Sequence, residues 1–184
     1  MISKGVDIYM RQKQKEIIKK SIENFRLPRY DEIPDVGLYL EQTTKYISDL
    51  LKPLEDISIT RSMISNYIKQ GLVSSPVKKQ YNRDQIAYLI YIAIAKTVLS
   101  LEHILLLIEM QQETYDNPIA YNYFCVEFEN VLFFVFGFKE SMEQIGKESS
   151  DLKIMLRNMI ITVAHKIYLD KCFNSIGEEK KEKK

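Results

Sequence analysis

The chain has 184 residues, 46% of them hydrophobic, and its 26 Lys and Arg against 25 Asp and Glu leave a formal charge of +1. That length holds one large domain or two small ones, and that apolar fraction fills a real core, which excludes a globally disordered chain. Six Gly and five Pro is sparse punctuation, favouring long helices over many short strands.

Residues 8–25 place Ile17, Ile18, Ile22 and Phe25 among Lys and Gln with the period of an amphipathic helix. "LPRYDEIP" at 27–34 reads as a loop, because each proline biases the residue before it away from helix. Pro34 fits the first position of a new helix, with Asp35 in its first turn. Val36, Leu38, Leu40, Tyr46, Ile47, Leu50 and Leu51 supply its apolar face, and Pro53 limits it.

The stretch 60–85 is a basic island, with five basic residues and one acidic one. It lies between 30–59 and 86–140, each with two basic and seven acidic residues. Thr60 is a good N-cap for a helix over 61–70. Met63, Ile64, Tyr67 and Ile68 make one apolar stripe, and Gly71 is placed to end the helix in a left-handed conformation. Arg61, Ser62, Ser65, Asn66, Lys69 and Gln70 are left on the other faces. These are the residue types that a helix in the major groove needs. Asn66 can pair with an adenine edge, Ser62 and Ser65 permit close approach, and Arg61 and Lys69 can take phosphate or guanine. Lys78, Lys79 and Arg83 follow on a short excursion where a wing would meet the DNA backbone. Spacing alone leaves a second reading open, a surface helix whose polar residues simply face water.

Asn82 and Gln85 form an approximate capping box for a helix from 83 to about 98, apolar nearly all round and therefore central. Ser100 caps the next, "LEHILLLIEMQQ". Two long helices rich in Phe, Tyr, Ile and Met follow at 117–139 and 150–176, joined by a polar stretch around Gly146. Tyr121, Phe124, Phe128, Phe133 and Phe134 make up an aromatic cluster that reads as a ligand pocket, a dimer interface or ordinary core. Phe133, Phe134 and Phe136 do not all fit one face of a helix, which favours a self-association surface for some of them. The tail from 177 is expected to fray.

His103, Cys125, His165 and Cys172 fall on separate helices without ligand spacing, so no metal and no cofactor is expected. Glu127 and Glu129 lie two apart on a helix and share no face, a poor acid–base pair. There is no phosphate loop, no HExxH and no nucleophile elbow, and an enzyme is not expected. The two thiols suit a reducing compartment. The longest apolar run, "IAYLIYIAIAKTVLSL", is cut by Lys96 and too short to span a bilayer. The expectation is a soluble cytoplasmic protein.

The run 59–104 resembles the MerR-type winged helix-turn-helix. The matching points are Thr60 opening the recognition helix, Tyr67 four residues before Gly71-Leu72, the return at Tyr81, the cap at Asn82 and "LSLEHI" at 99–104. It departs from that pattern at Ser65 and Asn66, where MerR proteins usually carry Arg and Tyr, and in its very short wing. The blocks "LPRYDEIPDVGLYLEQTTKYI", "ITRSMISNYIKQGLV" and "KKQYNRDQIAYLI" resemble, across 27–110, an uncharacterised bacterial family, domain-of-unknown-function family eighteen-thirty-six. The resemblance implies an all-α fold with a MerR-like helix-turn-helix, a minimal wing and a C-terminal helical bundle. The organisation expected is an N-terminal helix over 1–26, the helix-turn-helix region over 27–112, a dimerisation or sensing region over 113–176, and a disordered tail over 177–184. The function it implies is a sequence-specific transcriptional regulator binding double-stranded DNA as a homodimer, with a small-molecule effector left open. A protein–protein adaptor on the same scaffold is the alternative.

Overall fold

The computed structural model describes residues 12–145 and 150–182. In chain order the elements are α1 (Gln12–Lys20), a 3-10 turn (Tyr30–Glu32), β1 (Leu38–Tyr39), α2 (Leu40–Leu51), a second 3-10 turn (Lys52–Leu54), α3 (Arg61–Lys69), β2 (Gln80–Tyr81), α4 (Arg83–Ala95), α5 (Leu101–Thr114), α6 (Asn117–Val135) and α7 (Asp151–Glu182). Among the described residues the fold is all-α apart from one antiparallel pair of two-residue strands. Among the described residues no helix is long and apolar enough to cross a membrane.

α4 is the central helix. Ile86, Ala87, Leu89, Ile90, Ile92, Ala93, Ile94 and Ala95 are all buried, as its near-continuous apolar sequence requires. Its start is fixed by a capping box: the Asn82 side chain accepts from Gln85 N at 2.9 Å, and Gln85 Oε1 accepts from Asn82 N at 2.9 Å. α6 and α7 pack along one another and against α4. An aromatic ladder runs through this layer: Tyr91 meets Phe124 edge-on at 5.2 Å, Phe124 lies 5.8 Å from Phe128, and Phe128 meets Phe25 at 6.0 Å. One continuous buried cluster reaches from Ile18 to Cys172, so the N-terminal helix and the C-terminal pair share a core with the helices between them.

Three boundaries differ from expectation. No helix starts at Pro34. Residues 34–39 run as an excursion in which Val36 is 79% exposed, and Leu38–Tyr39 pairs with Gln80–Tyr81. Asp31 and Asp35 lie 3.7 Å from the Arg83 guanidinium, whose Nε donates to Ile33 O at 3.0 Å, so the acids brace a loop instead of capping a helix. Gly37 has φ +30°, and a Cβ there would stand 3.0 Å from Gln80 Cβ. Only glycine lets the two segments approach so closely. At the other end of the chain, α6 stops at Val135 because Gly137 (φ +74°) completes a Schellman closure, with Phe138 N donating to Phe133 O at 2.8 Å. α7 continues past 176 to Glu182, through residues expected to be disordered; Glu and Lys are good helix formers. Gly146 lies outside the described residues.

Long-range ion pairs tie the loops to the helices. Arg29 grips Glu129 of α6 through two parallel bonds of 2.7 Å, and Glu129 also accepts from Leu27 N at 2.9 Å. Lys171 of α7, itself buried, reaches Glu55 at 2.5 Å in the turn between α2 and α3. Glu55 holds the left-handed φ of 58°, which costs a non-glycine residue free energy, and Asn174 adds a second contact to its carboxylate at 3.4 Å.

Candidate nucleic-acid interface

α3 is built to show one face to the core and the other to solvent. Thr60 Oγ1 accepts from Met63 N at 3.2 Å and satisfies one of the unpaired amides of the first turn. Ile64 and Tyr67 are buried, with Met63 and Ile68 packed partly against the core. Burial pushes the Tyr67 phenol up to about 12, and its hydroxyl finds no hydrogen-bond partner among the described residues. The helix closes as its sequence predicts: Gly71 takes φ +79°, Gly71 N donates to Ile68 O at 3.1 Å, and Leu72 N donates to Tyr67 O at 3.0 Å.

The outward face consists of Arg61, Ser62, Ser65, Asn66, Lys69 and Gln70, all exposed. Arg61 Nη1 donates to Glu41 of α2 at 2.6 Å, the Ser65 hydroxyl donates back to Arg61 O at 3.0 Å, and the Thr60 and Ser62 hydroxyls lie 3.0 Å apart. The Asn66, Lys69 and Gln70 side chains make no hydrogen bond or ion pair among the described residues. They are available to a partner.

After α3 the chain forms a hairpin whose two-residue tip is Lys78-Lys79. Gln80 N donates to Val77 O at 2.9 Å, and the two lysines have φ of 51° and 66°. Positive φ at both central positions is the type I′ arrangement, which ordinarily selects Asn-Gly. Two lysines there carry conformational strain, and both are exposed without an ion pair among the described residues. The return strand then pairs with β1, so the hairpin is anchored to the segment leading into α2.

The other expected site residues are placed differently. Arg83 is half-buried, stacked 5.4 Å over the Tyr30 ring and committed to the 31–35 loop, so it is not free to meet DNA. Tyr121, Phe124 and Phe128 are buried in the core layer, and Phe133 and Phe134 are half-buried, with Phe133 packed on Phe138 at 5.6 Å. Tyr121 and Phe124 line a cavity that Phe128 does not reach. Phe136, the third of the misfitting phenylalanines, is buried against Tyr168 of α7 at 5.3 Å. Exposed apolar residues lie elsewhere, among them Leu169 and Phe173 of α7, one turn apart. Both fall within the helix expected over 150–176, where apolar residues on several sides leave the outward face unmarked. Of the His and Cys residues, His103 and His165 are exposed while Cys125 and Cys172 are buried free thiols.

A family model described as a domain of unknown function, DUF1836, matches residues 28–124, more than half of the chain. The chain belongs to the DUF1836 family. No curated protein and no solved structure matches it. The DUF1836 match takes in α3, the Lys78-Lys79 tip and all of α4 and α5, and it ends within α6 at Phe124.

Proposed function

We propose that this DUF1836 protein is a cytoplasmic transcriptional regulator that reads double-stranded DNA with α3. The observation that carries the reading is the outward face of α3, polar throughout and free of apolar residues, followed after residues 71–77 by two strained, unpaired lysines. A groove-reading helix needs exposed short polar and basic side chains that can reach base edges, and a wing needs cations that touch phosphate without reading sequence. The order strand, α2, α3, hairpin, strand, with the hairpin's return strand paired ahead of α2, supports a MerR-like winged helix-turn-helix. In this reading Asn66 specifies a base, Lys69 takes a base or phosphate, Arg61 does so by exchanging Glu41 for DNA, and Lys78 and Lys79 neutralise phosphates.

One such footprint carries few charges, and each neutralised phosphate adds a salt-sensitive increment. A two-fold homodimer doubles the contacts and reads a pseudo-palindrome. Leu169 and Phe173 on α7 are the residues we assign to its interface, in place of Phe133 and Phe134.

Fluorescence anisotropy against a fragment of the protein's own upstream DNA, titrated with salt, tests the reading. Asn66→Ala is expected to reduce discrimination against scrambled DNA by about 1–3 kcal/mol. Lys78→Ala is expected to weaken binding to all sequences alike and to lower the salt slope by about one. Absence of binding to any genomic fragment at low salt would sink the proposal and leave the adaptor.

A further inference from the structure

Between α4, α5, α6 and the start of α7 lies a predominantly apolar cavity of about 160 Å³. Its walls include Tyr88, Tyr91, Leu107, Phe124 and Leu156. The polar groups along one side already satisfy one another. Tyr88 Oη lies 3.1 Å from Gln111 Oε1 and within bonding distance of Asn117 Oδ1, and it accepts from Gln112 Nε2 at 3.1 Å. Asn117 Nδ2 donates to Asp84 Oδ1 at 3.0 Å, and that oxygen also accepts from Tyr30 Oη at 2.7 Å. This network asks nothing of the contents of the cavity.

Tyr91 is different. Its ring stands edge-on to Phe124, burial pushes its phenol well above the ordinary range, and its hydroxyl makes no hydrogen bond among the described residues. Because that hydroxyl has no partner within the protein, an acceptor brought in by a ligand can take its bond without breaking an internal one. The scale of the space sets the ligand, since roughly 150 Å³ of apolar protein cavity is enough to take up benzene. Aromatic walls favour an aromatic guest, edge-on or offset.

We propose that this cavity binds a small one-ring aromatic molecule bearing a hydrogen-bond acceptor, which takes the Tyr91 hydroxyl. The site is independent of DNA binding.

Benzene and pyridine are matched in shape and differ by one acceptor, so they serve as probes at a pH where pyridine is neutral. Two-dimensional amide spectra of the full chain are followed during titration of each. Wild type is expected to give saturable shifts confined to α4, α5, α6 and the first turns of α7. Ala120→Leu, which fills space at the cavity wall, is expected to weaken both probes about tenfold or more while the rest of the spectrum stays native. Leu107→Phe is the second filling variant should the first not fold. Tyr91→Phe keeps the shape and removes the donor, so it should move the pyridine-to-benzene affinity ratio about fivefold toward benzene. Non-saturable shifts in wild type, or saturable ones indifferent to both filling variants, would overturn the site. An unchanged ratio in Tyr91→Phe would overturn the role of the acceptor.

Discussion

In α3 polar and apolar residues alternate with helical period, and every polar side chain from Arg61 to Gln70 ends in solvent. In α6 apolar residues go all the way round, and the fold buries even Glu127 and Asn130. A helix with one apolar stripe stays at the surface and keeps a face for a partner; a helix without a polar stripe becomes part of the core, whatever chemistry its residues carry. Asn130 is accommodated by donating to Glu143 O at 2.9 Å and accepting from Lys139 at 3.2 Å. Glu127 is less well served. Its carboxylate lies 2.9 Å from Arg157 Nη1, yet neither oxygen is aligned for a hydrogen bond.

The contrast breaks most visibly by truncation. Phe128→Ala removes a fully buried ring from the α6 ladder and should cost about 3–5 kcal/mol in urea unfolding. Ser65→Ala on α3 should stay within about 0.5 kcal/mol. Comparable costs at the two positions would mean that α3 is not a surface helix. Next in size is the ion pair that joins α7 to the turn leading into α3. Glu55→Ala strips the buried Lys171 of its partner, and a loss of about 2 kcal/mol is expected, below that of a fully buried pair because Glu55 is half in water. A melt unchanged by that substitution would show that α7 does not hold the α2–α3 turn.

A pH series sharpens the comparison further. Burial raises the Glu127 carboxyl above its ordinary 4.5, against the opposing pull of Arg157. The folded state therefore binds the proton more tightly than the unfolded chain. The benefit is complete below about 4.5 and is lost as pH climbs through the raised value. Glu127→Gln, neutral throughout, should gain on wild type over that window and hold a constant gap above it, read from urea midpoints. A gap that shrinks as pH rises would reverse the assignment. A gain instead of a loss belongs to the hairpin. Lys79→Gly relieves a left-handed lysine and should stabilise the protein by about 0.5–1 kcal/mol, with a higher Tm, while weakening DNA binding. Equal DNA affinity in that variant would remove Lys79 from the proposed footprint.

Much of the α3 region was legible because its signals are local. The Thr60 cap, the stripe through Ile64 and Tyr67, and the glycine closure at Gly71 each depend on residues within a turn of one another. Capping at Asn82 and Ser100 was legible for the same reason. What escaped depends on residues far apart. Pro34 and Asp35 suit a helix start as well as a loop, and the Arg83 guanidinium decides between them from 3.7 Å away. Lys78-Lys79 carries none of the Asn-Gly signal of a type I′ turn, so the tip's conformation could not be read from residue type. In α6, Phe and Tyr all round the helix conceal which side is the core, and the cavity beside Tyr91 exists only where four helices meet.

The continuous core also bears on where this protein can be cut. The DUF1836 match ends at Phe124, in the middle of a helix and ahead of all of α7. A polypeptide stopped there would leave open to water the surfaces of α1, α4 and α5 that pack on α7, and would release Glu55 from Lys171. The stretch that defines the family by likeness is shorter than the stretch that folds, and inheritance and folding here draw different borders.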